Sequence, residues 1–376
     1  MSTQTNKIAS YLQAHFDTGR FMGSVLVGYR GEVLFKQGYG KANLEHDVLN
    51  TPQTKFRLAS ITKHFTASAI IKLQEQNLLQ TSDPIAKYLS NYPQGDRITI
   101  HQLLNHTSGI PNFTFFDDYH PVKKRLPSSI DDFILYFQDK DLEFTPGDRF
   151  SYSNSGYTLL TKIIELVSDE SYESYLQKNF FRPLQMEDSG YDRREKILPN
   201  RASGYVRTPK GFENADYIDM SIVLGAGGLY STVEDLYKWE KSLFTDRILS
   251  QDSRKLLFNS RVRITYKKPP KQDNIYNYPQ LEHSYGCLRD CMHDYERISF
   301  NGGVEGFVTH MARYPAKELA IIALLNISTG ILPARIATDI AAIVFDKPYK
   351  TPSRNDILPN IKQFFRRMMN PLNFSN

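Results

Sequence analysis

Apolar and polar residues alternate over residues 22–42, "MGSVLVGYRGEVLFKQGYGKA", on both sides of Arg30 and Gly31. Alternation with a period of two around a short turn predicts a β-hairpin. Further along, residues 64–79, "HFTASAIIKLQEQNLL", are apolar on nearly every side, which is typical of a buried helix. We therefore expect this helix to pack at the centre of the fold, against the sheet that contains the hairpin.

The middle of the chain, from about residue 83 to residue 235, carries mostly helical patterns. Apolar residues recur there with a period near 3.6 in "SIDDFILYFQ", "GYTLLTKIIELVSDESYESYLQKNFF" and "STVEDLYKWEKSLF". Short runs rich in branched and aromatic residues follow in "ERISF", "GFVTHMARYP" and "ELAIIALLN", before a last helix over residues 331–345. The pattern predicts an α/β (α+β) fold with a sheet built from both termini, residues 1–82 and 236–376, and an inserted helical lobe, residues 83–235.

The composition is that of an ordinary globular chain. Of 376 residues, 40% are hydrophobic and 12% aromatic, which is enough for a sizeable core. The 46 basic and 41 acidic residues are spread along the chain, so the net charge of +5 predicts no nucleic-acid partner. No apolar stretch approaches the ~18 residues of a membrane span, and the polar N-terminus is unlike a secretory signal. We expect a soluble, cytoplasmic protein.

Two segments look peripheral to the core. Residues 265–280, "TYKKPPKQDNIYNYPQ", are rich in Lys, Pro and Asn, and we favour a solvated loop over a lid above a site. The tail "FFRRMMNPLNF", residues 364–374, has the pattern of an amphipathic helix. Docking of that helix on its own protein is favoured over contact with a membrane surface.

The chain contains two cysteines, Cys287 and Cys291. Four residues apart in an extended strand, they would be ~13 Å from each other, too far for a disulfide. The nearby His283 and His293 complete an H-x3-C-x3-C-x-H spacing that matches no common zinc pattern. We therefore predict reduced, structural cysteines, no metal site and no cofactor.

The stretch "FRLASITKHF", residues 56–65, places Ser60 three residues before Lys63 at the start of the buried helix. Residues i and i+3 share a helix face, so a lysine amine freed of its proton by burial could activate the serine hydroxyl. The backbone N–H of a serine in the first turn is also free to stabilise an oxyanion. By itself, however, the pair fits equally well a helix-starting serine beside an ordinary lysine.

Two further stretches could complete such a site. In "FTPGDRFSYSNSGY", Tyr152 is a candidate base and Asn154 a candidate for orienting a substrate amide; a packed loop tyrosine would look the same. In "FNGGVEGF", residues 300–307, Gly302 and Gly303 would let a ligand approach a strand edge, and the Val304 amide could be a second oxyanion donor. A plain hairpin turn explains these glycines equally well.

Together these stretches resemble the serine β-lactamase and penicillin-binding protein superfamily, in its class C β-lactamase-like branch of D-Ala-D-Ala carboxypeptidases, D-aminopeptidases and family VIII-type esterases. That branch combines S-x-x-K, Y-x-N and a third motif of Lys or His followed by Thr-Gly or Gly-Gly. The order here, at residues 60, 152 and 301, is similar. Other stretches that resemble the family's segments are "LLNHTSGIP", "RPLQMEDSGY" and "GAGGLYSTVEDLYKW". The resemblance spans residues 20 to 345 and implies a β-lactamase/transpeptidase-like fold with the active site between sheet domain and helical lobe.

Residue by residue, the resemblance implies Ser60 as the acylated nucleophile, Lys63 as its activator and Tyr152 as base or proton shuttle. Asn154 would position the substrate, and the amides of Ser60 and Val304 would form the oxyanion hole. In the third motif, Gly302 and Gly303 follow Asn301, which stands where relatives carry Lys or His. His106 and the "GAGG" stretch at residues 225–228 are expected to be structural.

A neutral residue at position 301 argues against substrates that are recognised through their carboxylate, unless Arg289, Arg297 or another cation from a neighbouring segment replaces the missing charge. We therefore expect a serine hydrolase that acts on a small ester or peptide-like amide. The first alternative is a β-lactamase or D-Ala-D-Ala carboxypeptidase that acts as a penicillin-binding protein. The second alternative is a catalytically weak binding or scaffold protein. The absence of a G-x-S-x-G motif disfavours an α/β-hydrolase. The sequence predicts no oligomeric state.

Overall fold

The structure, a computed structural model, describes residues 3–264, 281–328 and 332–352. The loop predicted at residues 265–280 and the tail at residues 364–374 lie outside the described residues. In chain order the helices are α1 (Thr3–Asp17), α2 (Thr62–Glu75), α3 (Ile100–Leu104), α4 (Ile130–Leu135), α5 (Asn154–Ser168), α6 (Tyr172–Leu176), α7 (Leu224–Gly227), α8 (Val233–Ser242), α9 (Gln251–Asn259) and α10 (Pro333–Val344).

Strands from both ends of the chain form the main sheet, as predicted. In chain order the strands are β1 (Gly23–Tyr29), β2 (Glu32–Tyr39), β3 (Lys41–Asn43), β4 (Val48–Leu49), β5 (Phe56–Arg57), β6 (Gly190–Tyr191), β7 (Tyr205–Thr208), β8 (Gly211–Asn214), β9 (Leu229–Ser231), β10 (Val262–Arg263), β11 (Glu282–Ser284), β12 (Cys287–Met292), β13 (Tyr295–Val304), β14 (Phe307–Tyr314) and β15 (Leu319–Leu325). The antiparallel sheet has the order β10-β11-β12-β13-β14-β15-β1-β2. Pairing of β15 with β1 joins the two halves of the chain.

The predicted hairpin is confirmed, since β1 pairs with β2 across a two-residue turn at Arg30 and Gly31. Both turn residues have positive φ, 52° and 82°, the conformation that a twisted two-residue hairpin requires. At the centre of the sheet, every residue of β15 is buried. Its continuous apolar sequence, "LAIIALL", fits a strand that is covered on both faces.

Each face of the sheet is covered by a different set of helices. Helices α1 and α10 cover one face, in a core cluster that contains Ile8, Ala312 and Ile340. The other face packs against the helical part of the chain, and α2 is central in that larger cluster, as predicted. In α2 every residue from Thr62 to Ile71 is buried. The residues at the start of α2 are therefore held between the sheet and the helices.

Some elements differ from the sequence pattern. The long apolar pattern ending at residue 181 is divided by Asp169, which adopts a left-handed conformation at the end of α5. The predicted lobe boundary at residue 235 falls inside α8, which packs on β1 and β15. The division into two domains therefore stays a prediction. Within the described residues, no helix is long and apolar enough to cross a membrane.

The sheet is tied to the start of α2 by one side chain. Thr309 of β14 is 1% exposed, and its Oγ1 donates a hydrogen bond of 2.7 Å to the carbonyl of Leu58, two residues before Ser60. From the other side, the N–H of Leu58 donates to the Leu229 carbonyl at 2.8 Å. The backbone just before Ser60 is thus fixed by both the sheet and the segment that follows α7.

Thr309→Val should reduce the free energy of unfolding by about 1–2 kcal/mol, because it leaves the buried Leu58 carbonyl without this bond at nearly constant volume. The measurement is urea unfolding followed by circular dichroism. The same change at the exposed Thr245 is the control, with an effect within about 0.5 kcal/mol. Equal stability of Thr309→Val and wild type would contradict this role of the hydroxyl.

Candidate active site

Ser60 lies in a sharp turn at the end of β5. A 3₁₀ turn, Ala59–Ile61, leads directly into α2, so Ser60 precedes the first residue of the α-helix by two positions. Ala59 has a φ of 50°, in the left-handed region that costs an alanine roughly 1–2 kcal/mol. This turn directs Ser60 toward the helical part of the molecule, while Leu58 and Ala59 contact the sheet.

Strand β13 approaches this turn so closely that residue 302 has to be glycine. A Cβ atom at Gly302 would lie 2.1 Å from the Leu58 carbonyl oxygen and 3.2 Å from the Ala59 Cβ. The hairpin turn between β13 and β14 lies further along, at Glu305 and Gly306, where Gly306 has a φ of 77°. Close packing of backbone on backbone, rather than a turn, therefore explains the glycine at position 302.

The side chains of Lys63 and Tyr152, predicted from two distant stretches, both contact the Ser60 hydroxyl. Lys63 Nζ lies 3.2 Å from Ser60 Oγ, and the Tyr152 hydroxyl lies 2.9 Å from the same atom. Lys63 also lies over the Tyr152 ring, 4.9 Å from its centroid. The structure therefore brings the S-x-x-K and Y-x-N residues into direct contact.

Two further oxygens complete the surroundings of Lys63. Its Nζ donates to Asn154 Oδ1 at 2.7 Å and to the Ala226 carbonyl at 2.6 Å. Neither oxygen can donate a hydrogen bond, so each requires one N–H of the lysine. A neutral amine has two N–H groups and one lone pair, so once both N–H groups are used by these oxygens, only the lone pair is left for Ser60 Oγ. The neutral form of Lys63 is therefore oriented as a hydrogen-bond acceptor for the serine hydroxyl.

Burial favours this neutral form. Lys63 is 2% exposed, and no carboxylate forms an ion pair with it in the part of the chain that the structure describes. Loss of hydration lowers the pKa of Lys63 well below its ordinary value. Burial also raises the pKa of Tyr152, and the Ser60 hydrogen bond offsets this only partly. The phenol is thus protonated near neutral pH and has a proton to donate.

The orientation of the Asn154 side chain is set by Asn112, a residue that no sequence motif identified. Asn112 Oδ1 accepts from the backbone N–H of Asn154 at 3.2 Å and from its Nδ2 at 3.1 Å. The Asn154 oxygen is therefore turned toward Lys63. Ala226 was also missed, because the "GAGG" stretch was expected to be structural only. Every residue type has a backbone carbonyl, so a contact made by this group cannot be predicted from the identity of the side chain.

The structure does not bring the Asn301 side chain to Ser60. Along β13, Gly302 faces the Ser60 turn, so alternation directs Asn301 to the opposite face. There its Oδ1 lies 2.6 Å from Nδ1 of His310, the neighbouring residue on β14. Phe300 instead shares the face of Gly302, and its ring lies 4.3 Å from that of His64 in α2. On the face of β13 that is turned to α2, the third motif therefore carries the apolar ring of Phe300.

Neither Arg289 nor Arg297 replaces the missing cation at the third motif. Arg289 forms an ion pair with Glu296 and donates to backbone oxygen of α9. Arg297 is buried in an ion pair with Asp290, with an Arg297 Nε–Oδ1 distance of 2.9 Å. Both cations are therefore neutralised on the sheet. Among the described residues, no cluster of His, Cys, Asp or Glu could hold a metal ion.

On the edge of β13 near Ser60, no described strand pairs beyond the end of β12. Pairing of β12 with β13 ends at Ser299, whereas β14 continues to pair up to Val304. Successive amides of a strand alternate between its two edges, so one of the Gly303 and Val304 N–H groups points outward from this edge. An outward-pointing N–H therefore lies next to the Ser60 turn, and its part in an oxyanion hole stays a prediction.

His106, expected to have a structural role, fixes the loop that carries Tyr152. Its Nδ1 accepts from the Ser153 N–H at 3.2 Å, and its carbonyl accepts from the Ser151 N–H at 2.8 Å. The His106 ring packs 4.5 Å from the Tyr152 ring and 4.7 Å from that of His283. Burial lowers the pKa of His106 well below its ordinary value, so a neutral ring supports the tyrosine.

Comparisons with known proteins agree with this geometry. The chain is 32% identical over 70% of its length to the putative penicillin-binding protein PbpX of Bacillus subtilis, and it spans 64% of that protein's length. It is 30% identical over 92% of its length to penicillin-binding protein 4* of the same organism, of which it spans 78%.

Solved structures share the fold. The octameric penicillin-binding protein homologue from Pyrococcus abyssi superposes with a TM-score of 0.76 at 28% identity, over 96% of this chain and 80% of that one. The D-amino acid amidase from Ochrobactrum anthropi gives a TM-score of 0.79 at 22% identity, over 92% and 99% of the two chains. The model of the Beta-lactamase family matches residues 8–344. The chain therefore belongs to the Beta-lactamase family.

Proposed function

We propose that this protein is a serine hydrolase that acts through an acyl-enzyme on Ser60 and hydrolyses a small ester or peptide-like amide. The observation that carries the proposal is the set of bonds around Lys63. Asn154 Oδ1 and the Ala226 carbonyl use two N–H groups, which leaves the lone pair of the neutral amine for the Ser60 proton. A serine hydroxyl needs such a base before it can attack a carbonyl.

In the proposed reaction, Lys63 takes the Ser60 proton as Oγ attacks the substrate carbonyl carbon. The oxyanion that forms accepts hydrogen bonds from the amides of Ser60 and of Val304 or its neighbour Gly303. The Tyr152 hydroxyl, 2.9 Å from Oγ, passes a proton to the leaving group as the carbonyl–leaving-group bond breaks. The Lys63 ammonium then gives the proton that it took from Ser60 to Tyr152, which resets both groups. A water molecule attacks the acyl carbonyl carbon and gives a proton to Lys63, and this proton passes to Ser60 Oγ as the acyl–Oγ bond breaks. Asn154 also presents its amide to the substrate in this scheme.

The proposed preference for neutral substrates follows from the residues along β13. Residues 300–304 contain no charged side chain. Phe300 fills the face that is turned to α2, and Asn301, with its polar amide, lies on the opposite face beside His310. A substrate carboxylate would therefore lose its hydration without gaining a cation from this strand. Neutral acyl groups avoid that cost.

A second candidate function is that of a penicillin-binding β-lactamase or D-Ala-D-Ala carboxypeptidase. It is supported by the 30% identity to penicillin-binding protein 4* across 92% of this chain. The chemistry at Ser60 would be the same, and only recognition of the carboxylate would differ. The third possibility, a scaffold protein with little activity, is disfavoured because Ser60, Lys63 and Tyr152 are held at hydrogen-bonding or ring-contact distances.

A fluorophosphonate should add to the wild-type protein once, at Ser60. Intact-mass analysis is expected to show one adduct for the wild type and none for Ser60→Ala, since the alanine has no nucleophile. Ser68→Ala, a buried serine further along α2, is the matched control and should be labelled like the wild type. Absence of an adduct on the folded wild type would contradict the hydrolase proposal.

The rate of this labelling should fall as the pH is lowered through the pKa of Lys63. Protonation gives an ammonium ion, which cannot accept the Ser60 proton, and the lowered pKa keeps the amine neutral to lower pH than an exposed lysine. Lys63→Met should slow labelling by about 10²–10⁴-fold, and Lys72→Met of the same helix should not. Persistence of the acidic decline in Lys63→Met would assign it to another group.

A neutral acyl ester should be hydrolysed with a kcat/KM at least about tenfold above that of its carboxylate-bearing analogue, since desolvating an unpaired carboxylate costs more than about 1.4 kcal/mol. Steady-state kinetics with a matched pair of chromogenic esters measures this ratio. Penicillin labelling and hydrolysis of a chromogenic cephalosporin are measured in parallel. Rapid turnover of the cephalosporin would favour the β-lactamase alternative and contradict the preference for neutral substrates.

A further inference from the structure

The direction of the Asn154 carboxamide decides what Lys63 can do. With Oδ1 toward Lys63, as in the structure, the amide accepts one lysine N–H and leaves the lone pair for Ser60. Rotated by 180°, the amide would present Nδ2, whose N–H would donate to that lone pair. The base would then be occupied by Asn154 and unavailable to Ser60. The two orientations have almost the same shape, so packing alone discriminates between them poorly.

Asn112 favours one of the two orientations of the Asn154 amide. The orientation of Asn112 itself is fixed by backbone N–H groups. Its Oδ1 accepts from the backbone N–H of Asn154 at 3.2 Å and from the backbone N–H of Thr114 at 3.4 Å. Backbone N–H groups cannot reverse their polarity, so the Asn112 oxygen has to face them. The same oxygen accepts from Asn154 Nδ2 at 3.1 Å. Two backbone N–H groups therefore fix the direction of the Asn112 amide. Asn112 in turn fixes the direction of the Asn154 amide, so that Asn154 Oδ1 faces Lys63.

Asn112 also supplies an oxygen without supplying a charge. The residue is 3% exposed, and a carboxylate in its place could accept the same three hydrogen bonds. Such a buried anion, separated from Lys63 only by the Asn154 side chain, would favour the ammonium form and so raise the lysine pKa. A neutral acceptor orients Asn154 and leaves the amine neutral.

The other titratable groups facing Lys63 are neutral as well. The rings of Tyr152 and Tyr157 lie 4.9 and 5.4 Å from Lys63 Nζ, and burial raises the pKa of both. Burial lowers the pKa of both His106 and His283, to about 3 for His283. Changes in the titration of Lys63 on substitution of Asn112 therefore report on Asn112 itself.

We propose that Asn112 is a positioning residue of the acylation step, which holds the Asn154 oxygen on Lys63 and so reserves the lysine lone pair for the Ser60 proton. The inference rests on the proposed function for the identity of the step. It is distinct from that function, because the orientation and the pKa of Lys63 can be measured without any substrate.

The test compares Asn112→Asp with Asn112→Leu. In Asn112→Asp the acceptor pattern is kept, so the fluorophosphonate rate at high pH should stay near that of the wild type, while the acidic decline moves up by about one pH unit. In Asn112→Leu the Asn154 amide is free to rotate, and the rate should fall about 10–100-fold across the whole pH range. Asn50→Asp, a buried site on the sheet side, is the control and should leave the acidic decline unmoved.

A second readout is independent of activity. In protein with ¹³C-labelled lysine, the Lys63 resonance is identified by its loss in Lys63→Met, and its titration midpoint should rise in Asn112→Asp but not in Asn50→Asp. An unmoved midpoint in a folded Asn112→Asp variant would overturn the inference, even if both Asn112 variants were less stable. A shifted midpoint in a protein that no fluorophosphonate labels would support the role of Asn112 and contradict the proposed hydrolase.

Discussion

The site is organised around Lys63, a buried lysine for which the described residues supply no counter-ion. Desolvation makes the charged form of Lys63 unfavourable, and the surrounding protein supplies two fixed acceptors in place of a carboxylate. A carboxylate at either position would restore the charge and remove the base. The Asn154 amide and the Ala226 carbonyl therefore matter in two ways: they accept hydrogen bonds from Lys63, and they carry no charge that would raise its pKa.

That arrangement depends on elements far apart in sequence. Lys63 comes from α2, Asn154 from the first turn of α5, and Ala226 from α7. Helix α2 is held from the sheet side by the bond from Thr309 to Leu58 and by the close approach at Gly302. Because Ser60, Lys63 and the strand edge share this junction, a small displacement of β14 relative to α2 would change all three together.

The sequence predicted those parts of the site and fold that use distinctive side chains or periodicity. The β1–β2 hairpin, the buried α2 and the strands near the C-terminus follow from apolar patterning, and Ser60, Lys63 and Tyr152 follow from motif chemistry. Asn112 and Ala226 could not be found in that way, since one acts on another amide and the other through its backbone. The face on which Asn301 lies depends on β13 register, which no local pattern specifies.

The correction at β13 changes what the missing cation means for recognition. Asn301 could have been regarded as a polar substitute for Lys or His, able to bind a carboxylate weakly. Because the residue facing α2 is Phe300, which packs in the core against His64, this face of the third motif carries a buried aromatic ring and no cation. Burial holds the pKa of His64 near 3, so this histidine does not replace the charge. With Lys63 also neutral, neither of these two groups attracts an anion, so in the proposed function the selectivity rests on shape, apolar contact and the amide groups.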